Sequence, residues 1–187
     1  MSNSGLLFQT PPFFILTGPP GSGKTSLLNA LPSQISTVPE YARRVLSAER
    51  ARNGTATGEQ DPAAFIRAML EMATADYHRA EGLTLFDRGL PDLLAFCAYY
   101  HLPENTVLPT IGAFRYRPTA FFLPAWRDIF KTDAERRLDY RGAEQFGTLI
   151  RAAYLRSGYG LLEVPKQSVS ERAAFVLRHI KDLQKTE

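Results

Sequence analysis

A glycine-rich run near the start of the chain has the clearest chemical pattern in the sequence. Residues 18 to 25 read Gly-Pro-Pro-Gly-Ser-Gly-Lys-Thr, which has the spacing of a phosphate-binding loop (P-loop). In such a loop backbone N–H groups surround the phosphates, the lysine reaches the β- and γ-phosphates, and the hydroxyl binds Mg²⁺. The pattern predicts binding of a nucleoside triphosphate, with ATP and Mg²⁺ as the expected cofactors. The predicted contact residues are Gly18, Gly21, Ser22, Gly23, Lys24, Thr25 and Ser26.

An acidic residue at the end of a later apolar segment completes the predicted metal site. The segment Leu83-Thr-Leu-Phe-Asp87 resembles the second nucleotide-binding signature, in which an acid holds magnesium or its water. An aspartate at the end of a strand is also commonly a turn or a helix cap, but a P-loop in the same chain favours the metal role. Thr25 and Asp87 are therefore the predicted metal ligands. Arg88 follows directly and places an anion contact, predicted to be catalytic, beside the metal.

Glu40 is the candidate general base. It follows a short apolar segment, which places its carboxylate opposite the P-loop, where it could accept a proton from an acceptor hydroxyl. The alternative interpretation is an acid stabilised by the positive end of a helix dipole. A hydroxyl acceptor needs such a base, whereas a monophosphate acceptor needs arginines such as Arg43 or Arg88 converging on one anion. We expect a nucleoside-like hydroxyl acceptor, with a nucleoside monophosphate as the close alternative.

Basic residues gather between about 125 and 141, after a fourth apolar segment. Phosphoryl transfer spreads negative charge over the equatorial oxygens, so a mobile lid that carries arginines would stabilise the transition state. This pattern predicts catalytic roles for Arg136 and Arg137, with a solvated helix face as the alternative, while the P-loop predicts a catalytic role for Lys24. Asp92, near the start of another helix, could contact acceptor hydroxyls or act as a cap.

Alternating strands and helices must position these residues. Strands are predicted at 13–17, 35–39, 83–87, 118–123 and 161–164, and helices at 24–31, 40–52, 62–79, 90–101, from the capping box 132–135 to about 157, and 168–183. This order predicts a three-layer α/β fold, with a five-stranded parallel sheet and helices on both faces. The candidate segments all follow strands, so they should meet at one edge of the sheet. The polar stretch 53–60 is expected to be a mobile connector.

The bulk composition restricts the remaining possibilities. With 187 residues, 44% of them hydrophobic and 22% charged, the chain is expected to form one domain over residues 1–187. No stretch approaches the roughly 20 apolar residues of a membrane helix. Cys97 is the only cysteine and is expected to be buried, which suits the cytoplasm. The net charge of +3 comes with separate basic clusters, which suit discrete phosphate contacts better than a nucleic-acid partner.

Several segments taken together resemble a known family. They are Leu16 to Thr25, Val38-Pro-Glu40, Phe86 to Asp92, Phe121-Phe-Leu-Pro124 and Thr132-Asp-Ala-Glu-Arg-Arg137. They are similar to the small AAA-like P-loop ATPase and kinase family that includes the ribosylnicotinamide kinase domain of bacterial NAD regulators, over about Phe13 to Leu183. The resemblance implies a nucleoside- or nucleotide-kinase-like core with Lys24 and Thr25 on the triphosphate and Asp87 at magnesium. It also implies an acceptor pocket near Glu40 and Arg88, and a lid around Arg136, Arg137 and Arg141.

Three classes of function are compatible with these patterns. The favoured class is a kinase of small molecules, because an acid follows the second strand, Asp87 and Arg88 are adjacent, and the lid is rich in arginine. The second is a P-loop NTPase that acts as a regulatory switch or as part of a toxin system, in which water attacks. The third is a P-loop enzyme directed at nucleic acid. The choice between ATP and GTP stays open at this point.

Overall fold

A parallel five-stranded sheet lies at the centre of the protein. The computed structural model describes residues 11–131 and 138–185. The strands are β1 Phe13–Thr17, β2 Ser36–Val38, β3 Thr84–Asp87, β4 Thr119–Phe122 and β5 Gly160–Glu163. They pair in the order β2-β3-β1-β4-β5, and all four pairings are parallel. The predicted α/β fold with a five-stranded parallel sheet is therefore confirmed.

The register of the sheet brings the ends of the central strands together. Leu16 of β1 lies beside Asp87 of β3, and Thr17 of β1 lies beside Phe122 of β4. All five residues of β1 are buried, as expected for a strand that is covered on both faces. The loop that leaves β1 therefore starts between the carboxyl ends of β3 and β4, where a doubly covered parallel sheet places its ligands.

Helices cover both faces of the sheet. They are α1 Lys24–Asn29, α2 Tyr41–Arg52, α3 Pro62–Arg79, α4 Asp92–Tyr99, α5 Leu108–Ala113, α6 Tyr140–Arg156 and α7 Val169–Lys185, with a 3₁₀ turn at Arg127–Ile129. Phe13 and Ile15 of β1 belong to the core formed with α2, α3, α4 and α6. Phe14 and Leu16 alternate with them and belong to the core formed with α1 and α7. No helix within the described ranges is both long and apolar enough to cross a membrane.

One predicted helix starts later than expected, and one short helix was not predicted. The helix expected to start at the capping box 132–135 begins instead at Tyr140, since Leu138 and Asp139 are not helical, and residues 132–137 lie outside the described residues. The carboxylate of Asp139 caps this helix by accepting a hydrogen bond from the N–H of Gly142 at 2.7 Å. The short helix α5 was not predicted, because six residues that include a proline and a glycine carry little helical signal.

The stretch 53–60 is held more firmly than a mobile connector would be. Glu49 of α2 is buried, and its carboxylate accepts a hydrogen bond from the N–H of Ala56 at 2.9 Å. The carbonyl of Glu49 accepts a second bond from the N–H of Gly54 at 2.8 Å, and Arg52 forms an ion pair with the carboxylate. These contacts fix the connector against the end of α2.

Candidate functional site

The loop between β1 and α1 closes around its own lysine. The ammonium group of Lys24 donates hydrogen bonds to the carbonyls of Gly18 at 2.8 Å and Pro19 at 3.1 Å. Gly18 and Gly23 have φ angles of 145° and 85°, which side chains disfavour, and a methyl group on Gly18 would lie 2.2 Å from the carbonyl oxygen of Leu123. The backbone of this loop therefore requires glycine at positions 18 and 23.

The hydroxyl-bearing residues of the loop lie in different surroundings. Thr25 and Ser26 are exposed in the first turn of α1. Ser22 is buried, and its hydroxyl oxygen has no hydrogen-bond partner in the part of the chain that the structure describes. A buried hydroxyl without a partner is uncommon in proteins, so Ser22 fits a loop that is completed by a phosphate ligand.

Asp87 lies at the end of β3, next to the start of the P-loop. It is 4% exposed, and its Oδ1 atom has no hydrogen-bond partner among residues 11–131 and 138–185. Burial raises the pKa of the carboxyl group from 3.8 to about 6; the charge of Lys24 opposes this shift and that of Glu40 adds to it. An unsatisfied buried carboxylate oxygen is a suitable partner for a divalent cation or for a water bound to it.

The donor set fits magnesium better than a metal held by the protein alone. The described residues contain no group of three or more histidine, cysteine or acidic side chains that could hold a metal. Mg²⁺ typically takes one or two protein oxygens and completes its coordination with water and nucleotide phosphates. Thr25 and Asp87 supply such oxygens near the P-loop, which is consistent with their prediction as metal ligands.

The carboxylate of Glu40 faces two arginines. Glu40 is the N-cap residue of α2 but makes no side-chain capping bond there. Its Oε1 atom accepts a hydrogen bond from Nε of Arg88 at 2.8 Å, and its Oε2 atom accepts one from Nε of Arg43 at 3.3 Å. Burial lowers the pKa of Arg88, but the carboxylates of Glu40 and Asp92 outweigh burial and raise it above its ordinary value. Arg88 is therefore a permanent cation beside Glu40.

Asp92 is fully buried and anchors the same arginine. Its Oδ1 atom accepts hydrogen bonds from Nη1 of Arg88 at 2.8 Å and from the hydroxyl of Thr17 at 2.7 Å. Its Oδ2 atom accepts bonds from the hydroxyl of Tyr154 at 2.5 Å and from the N–H of Gly89 at 3.0 Å. Asp92 therefore has two local partners just before α4, Arg88 and Gly89, and two partners from distant elements, Thr17 and Tyr154. An acceptor contact by Asp92 is not supported, because its side chain is enclosed.

A cavity of about 760 Å³ opens beside the P-loop. Pro20, Glu40 and Arg88 are among its lining residues, and the connector 53–60 contributes to its wall. Much of the remaining wall is aromatic or aliphatic, from Leu46, Phe65, Phe96, Tyr99, Tyr100, Leu138 and Phe146. The volume lies in the range of pockets that bind small molecules. The cavity thus places the predicted base in a chamber whose wall is partly aromatic and partly charged, with Arg43 and Arg50 also in the lining.

Comparisons with known proteins agree with this arrangement. A family model described as an AAA domain matches residues 13–172, which is most of the chain. The chain belongs to this AAA-domain family. A search of curated proteins gave no match.

Several kinases of known structure share the fold of this protein. A deoxyadenosine kinase from M. mycoides aligns with a TM-score of 0.58 and 11% identity, covering 91% of this chain and 99% of that one. A thymidylate kinase from Candida albicans gives 0.59 and 11%, with coverage of 95% and 94%. A shikimate kinase from Acinetobacter baumannii in complex with shikimate gives 0.57 and 15%, with coverage of 94% and 96%. At these identities the similarity establishes a P-loop kinase-like fold.

The outer side of the P-loop in the AAA-domain chain is covered by residues that the sequence did not single out. Arg172 of α7 donates hydrogen bonds to the carbonyls of Ser22 at 3.1 Å and Gly23 at 3.3 Å, and its guanidinium lies 5.6 Å from the ring of Trp126. A methyl group on Gly21 would meet the ring of Phe130 at 2.5 Å. The first residues of the predicted lid segment therefore pack against the P-loop. Arg136 and Arg137 lie outside the described residues.

The missed residues share one property, which is that their partners are distant in the sequence. Thr17 and Tyr154 meet Asp92 across 75 and 62 residues respectively. A buried tyrosine in an amphipathic helix gives no local sign of a polar partner. One available signal was Asp92 itself, an acidic residue in an otherwise apolar helix, which was predicted to be an acceptor contact or a cap.

Proposed function

We propose that this protein is a kinase that transfers the γ-phosphate of ATP, with Mg²⁺, to a hydroxyl group of a small acceptor bound in the cavity. The observation that carries this proposal is the position of Glu40. Its carboxylate lines a cavity that also borders the P-loop at Pro20, and Arg88 holds it at 2.8 Å. A carboxylate that faces both a phosphate site and a small-molecule chamber is well placed to take the proton of an acceptor hydroxyl.

The P-loop side of the site would bind and orient the triphosphate. Lys24 would exchange its bonds to the Gly18 and Pro19 carbonyls for bonds to phosphate oxygens, which carry more negative charge. Thr25 and Asp87 would hold Mg²⁺, which would neutralise charge on the phosphates when bound. Ser22 offers a buried hydroxyl for one further phosphate contact.

The arginines near Glu40 support a hydroxyl acceptor over a monophosphate. A monophosphate site would present arginines that converge on the ligand. Arg43 and Arg88 do converge on one anion, but that anion is the carboxylate of Glu40. Arg88 is further tied to Asp92. With these contacts in place, Arg88 is suited to orienting the base.

The wall of the cavity supports an acceptor that carries a ring. Phe96 lies in contact with two other aromatic residues of the wall, with ring centroids 5.0 Å from Phe146 and 6.5 Å from Tyr100. Aromatic side chains bind planar rings through dispersion and stacking. A nucleoside-like acceptor has both a ring and a hydroxyl. The structural relatives are named as kinases of deoxyadenosine, thymidylate and shikimate, which supports a small acceptor of this general size.

We also propose that residues 1–187 form one domain in which residues 125–141 act as the lid. The packing of Trp126 against Arg172 and of Phe130 against the P-loop supports a covering role for the start of this segment. The catalytic roles of Arg136 and Arg137 stay predictions from the sequence, as does a cytoplasmic location.

The test is ADP release from ATP and Mg²⁺, with and without a panel of nucleosides, nucleoside monophosphates and nicotinamide riboside. We expect at least about tenfold stimulation by a compound with a free hydroxyl, and a phosphorylated product detectable by mass spectrometry. Stimulation by monophosphates alone would favour a nucleotide kinase. Turnover that no acceptor changes would favour the alternative function, a regulatory NTPase in which water attacks.

A further inference from the structure

A buried set of hydroxyl groups holds the turn formed by Arg88 and Gly89. The hydroxyl of Tyr154 donates to Asp92 at 2.5 Å and accepts a bond from the N–H of Gly89 at 3.3 Å. The hydroxyl of Tyr41 donates to the carbonyl of Gly89 at 3.1 Å. Both polar backbone groups of Gly89 therefore contact tyrosines from two different helices, α6 and α2.

The turn needs such support because its backbone is strained. Arg88 has a φ angle of 76°, in the left-handed region that favours glycine. A side chain remains in that region only where its surroundings determine the conformation, and such positions cluster at functional sites. The next position must be glycine, since a methyl group on Gly89 would lie 2.5 Å from Ile15 and 3.2 Å from the hydroxyl of Tyr154.

The contacts form a continuous path to the proposed base. Tyr154 fixes one oxygen of Asp92, the other oxygen of Asp92 fixes Nη1 of Arg88, and Nε of Arg88 fixes Glu40. Burial raises the pKa of Tyr154 well above 10, an effect that the nearby charge of Asp92 strengthens, so its hydroxyl keeps the proton that it donates. Tyr154 and Asp92 are not among the residues that line the cavity, although both are described. Tyr154 therefore has no direct place in the cavity wall, and the bonds of this path connect it to Arg88 and Glu40, which do line the cavity.

We propose that Tyr154 is a positioning residue for phosphate transfer, acting through Asp92 and Arg88 to orient the carboxylate of Glu40. This inference rests on the proposed function, because the orientation of Glu40 affects turnover only if Glu40 accepts the acceptor's proton. It adds a residue of α6 to the transfer reaction.

A matched pair of substitutions separates this role from simple core packing. Tyr154→Phe removes the hydroxyl that binds Asp92 and keeps the ring. Tyr159→Phe is the control, because Tyr159 is also buried, its ring centroid lies 5.8 Å from that of Tyr154, and its hydroxyl accepts a hydrogen bond from the N–H of Tyr116 at 3.2 Å. Each variant loses one buried hydroxyl, but only the first touches the path to Glu40.

The first measurement is steady-state kinetics with the best acceptor from the panel. We expect Tyr154→Phe to lower kcat about tenfold, while the acceptor KM and the ATP Kd stay within about twofold, because small misalignments act mainly on the transition state. Tyr159→Phe should keep kcat within about twofold of the unsubstituted chain. Equal kcat values for the two variants would overturn the proposal.

The second measurement does not need turnover. The Nε–H group of Arg88 should give a protected signal in ¹⁵N NMR spectra, assigned by its loss in Arg88→Lys, because it is buried and bonded to Glu40. We expect solvent exchange of this proton to be at least about tenfold faster in Tyr154→Phe than in Tyr159→Phe. Unchanged exchange would overturn the proposal.

The two measurements also separate this inference from the proposed function. If no acceptor is phosphorylated by the unsubstituted chain, the proposed function fails, and the NMR comparison alone decides whether Tyr154 positions Arg88. Faster exchange with unchanged kcat would overturn the catalytic consequence. If Tyr154→Phe does not fold, Thr17→Val makes the same test from the other oxygen of Asp92, since it removes the 2.7 Å bond with little change in shape.

Discussion

The two sides of the site are built in different ways. On the P-loop side, the ammonium group of Lys24 binds carbonyls five and six residues away. On the acceptor side, the pairs that join Arg88 to Glu40 and Thr17 to Asp92 are 48 and 75 residues apart. The position of Lys24 is therefore set within one short segment, whereas the position of the proposed base depends on contacts between different parts of the sheet. Substitutions should separate nucleotide binding from phosphate transfer along this division.

Lys24→Ala is expected to have the largest effect on the P-loop side of the site. We expect turnover to fall about 10³-fold or more and ATP binding to weaken, because the cation that meets the phosphates is lost. ADP release and ATP titration measure the two effects. Lys166→Ala, at an exposed lysine, is the control and should leave both unchanged. Persistent turnover in Lys24→Ala would remove this lysine from its proposed role.

A substitution of the proposed base should reduce phosphate transfer without weakening ATP binding. Glu40→Gln is expected to lower acceptor-dependent turnover by about 10²- to 10⁴-fold, since the amide cannot take the proton. The ATP Kd should change by less than about threefold, because Glu40 has no proposed contact with the triphosphate. Glu71→Gln, on the exposed face of α3, is the matched control. A parallel loss of ATP affinity in Glu40→Gln would show that the two sides are not separable.

Asp87 lies between the two sides, and its buried charge should lower stability. Because its pKa is about 6 when folded and 3.8 ordinarily, the stability contributed by the protonated acid is present below pH 3.8 and lost as the pH rises to 6. The difference corresponds to about 3 kcal/mol. We expect Asp87→Asn to increase the free energy of unfolding by up to about this amount at pH 7.5, and by much less near pH 4.

Chemical denaturation of both proteins from pH 4 to 7.5 measures this difference. The expected difference between Asp87→Asn and the unsubstituted chain grows with pH up to about 6 and is then constant. The same variant should lose Mg²⁺-dependent turnover, because an amide is a poorer ligand for magnesium than a carboxylate. A difference in stability that does not vary with pH would contradict the assignment of the shift to Asp87.

The smallest expected effects compare two glycines. Gly23→Ala forces a side chain into a φ angle of 85° and places a methyl group 2.7 Å from Nη2 of Arg172, so we expect a loss of about 1–2 kcal/mol. Gly112→Ala meets nothing within 4 Å in helix α5 and should gain about 0.5–1 kcal/mol. Thermal and denaturant unfolding measure both. Equal effects would mean that the P-loop backbone is less constrained than its geometry indicates.

Predictions from the sequence were accurate where a structure depends on neighbouring residues and inaccurate where it depends on contacts that local patterns do not show. The five strands were located to within one or two residues, because most of them are short apolar runs next to a turn. The start of α6 was misplaced at the capping-box pattern 132–135, whereas in the structure Asp139 caps the helix, a residue that was not predicted to be a cap. The connector 53–60 was expected to be mobile because its sequence does not reveal the bonds it receives from Glu49.

By itself the sequence determined the P-loop and the alternation of strands and helices around it. Both depend on contacts within a few residues, or on periodicities of two and 3.6 residues, which any segment carries with it. The tertiary structure alone decided that Glu40 meets Arg88 and that Tyr154 reaches Asp92. The first contact exists because β3 lies between β2 and β1, which brings the turn after β3 against the start of α2. The second exists because α6 packs against α4. Strand order is a property of the whole packed sheet, so no local pattern could have indicated it.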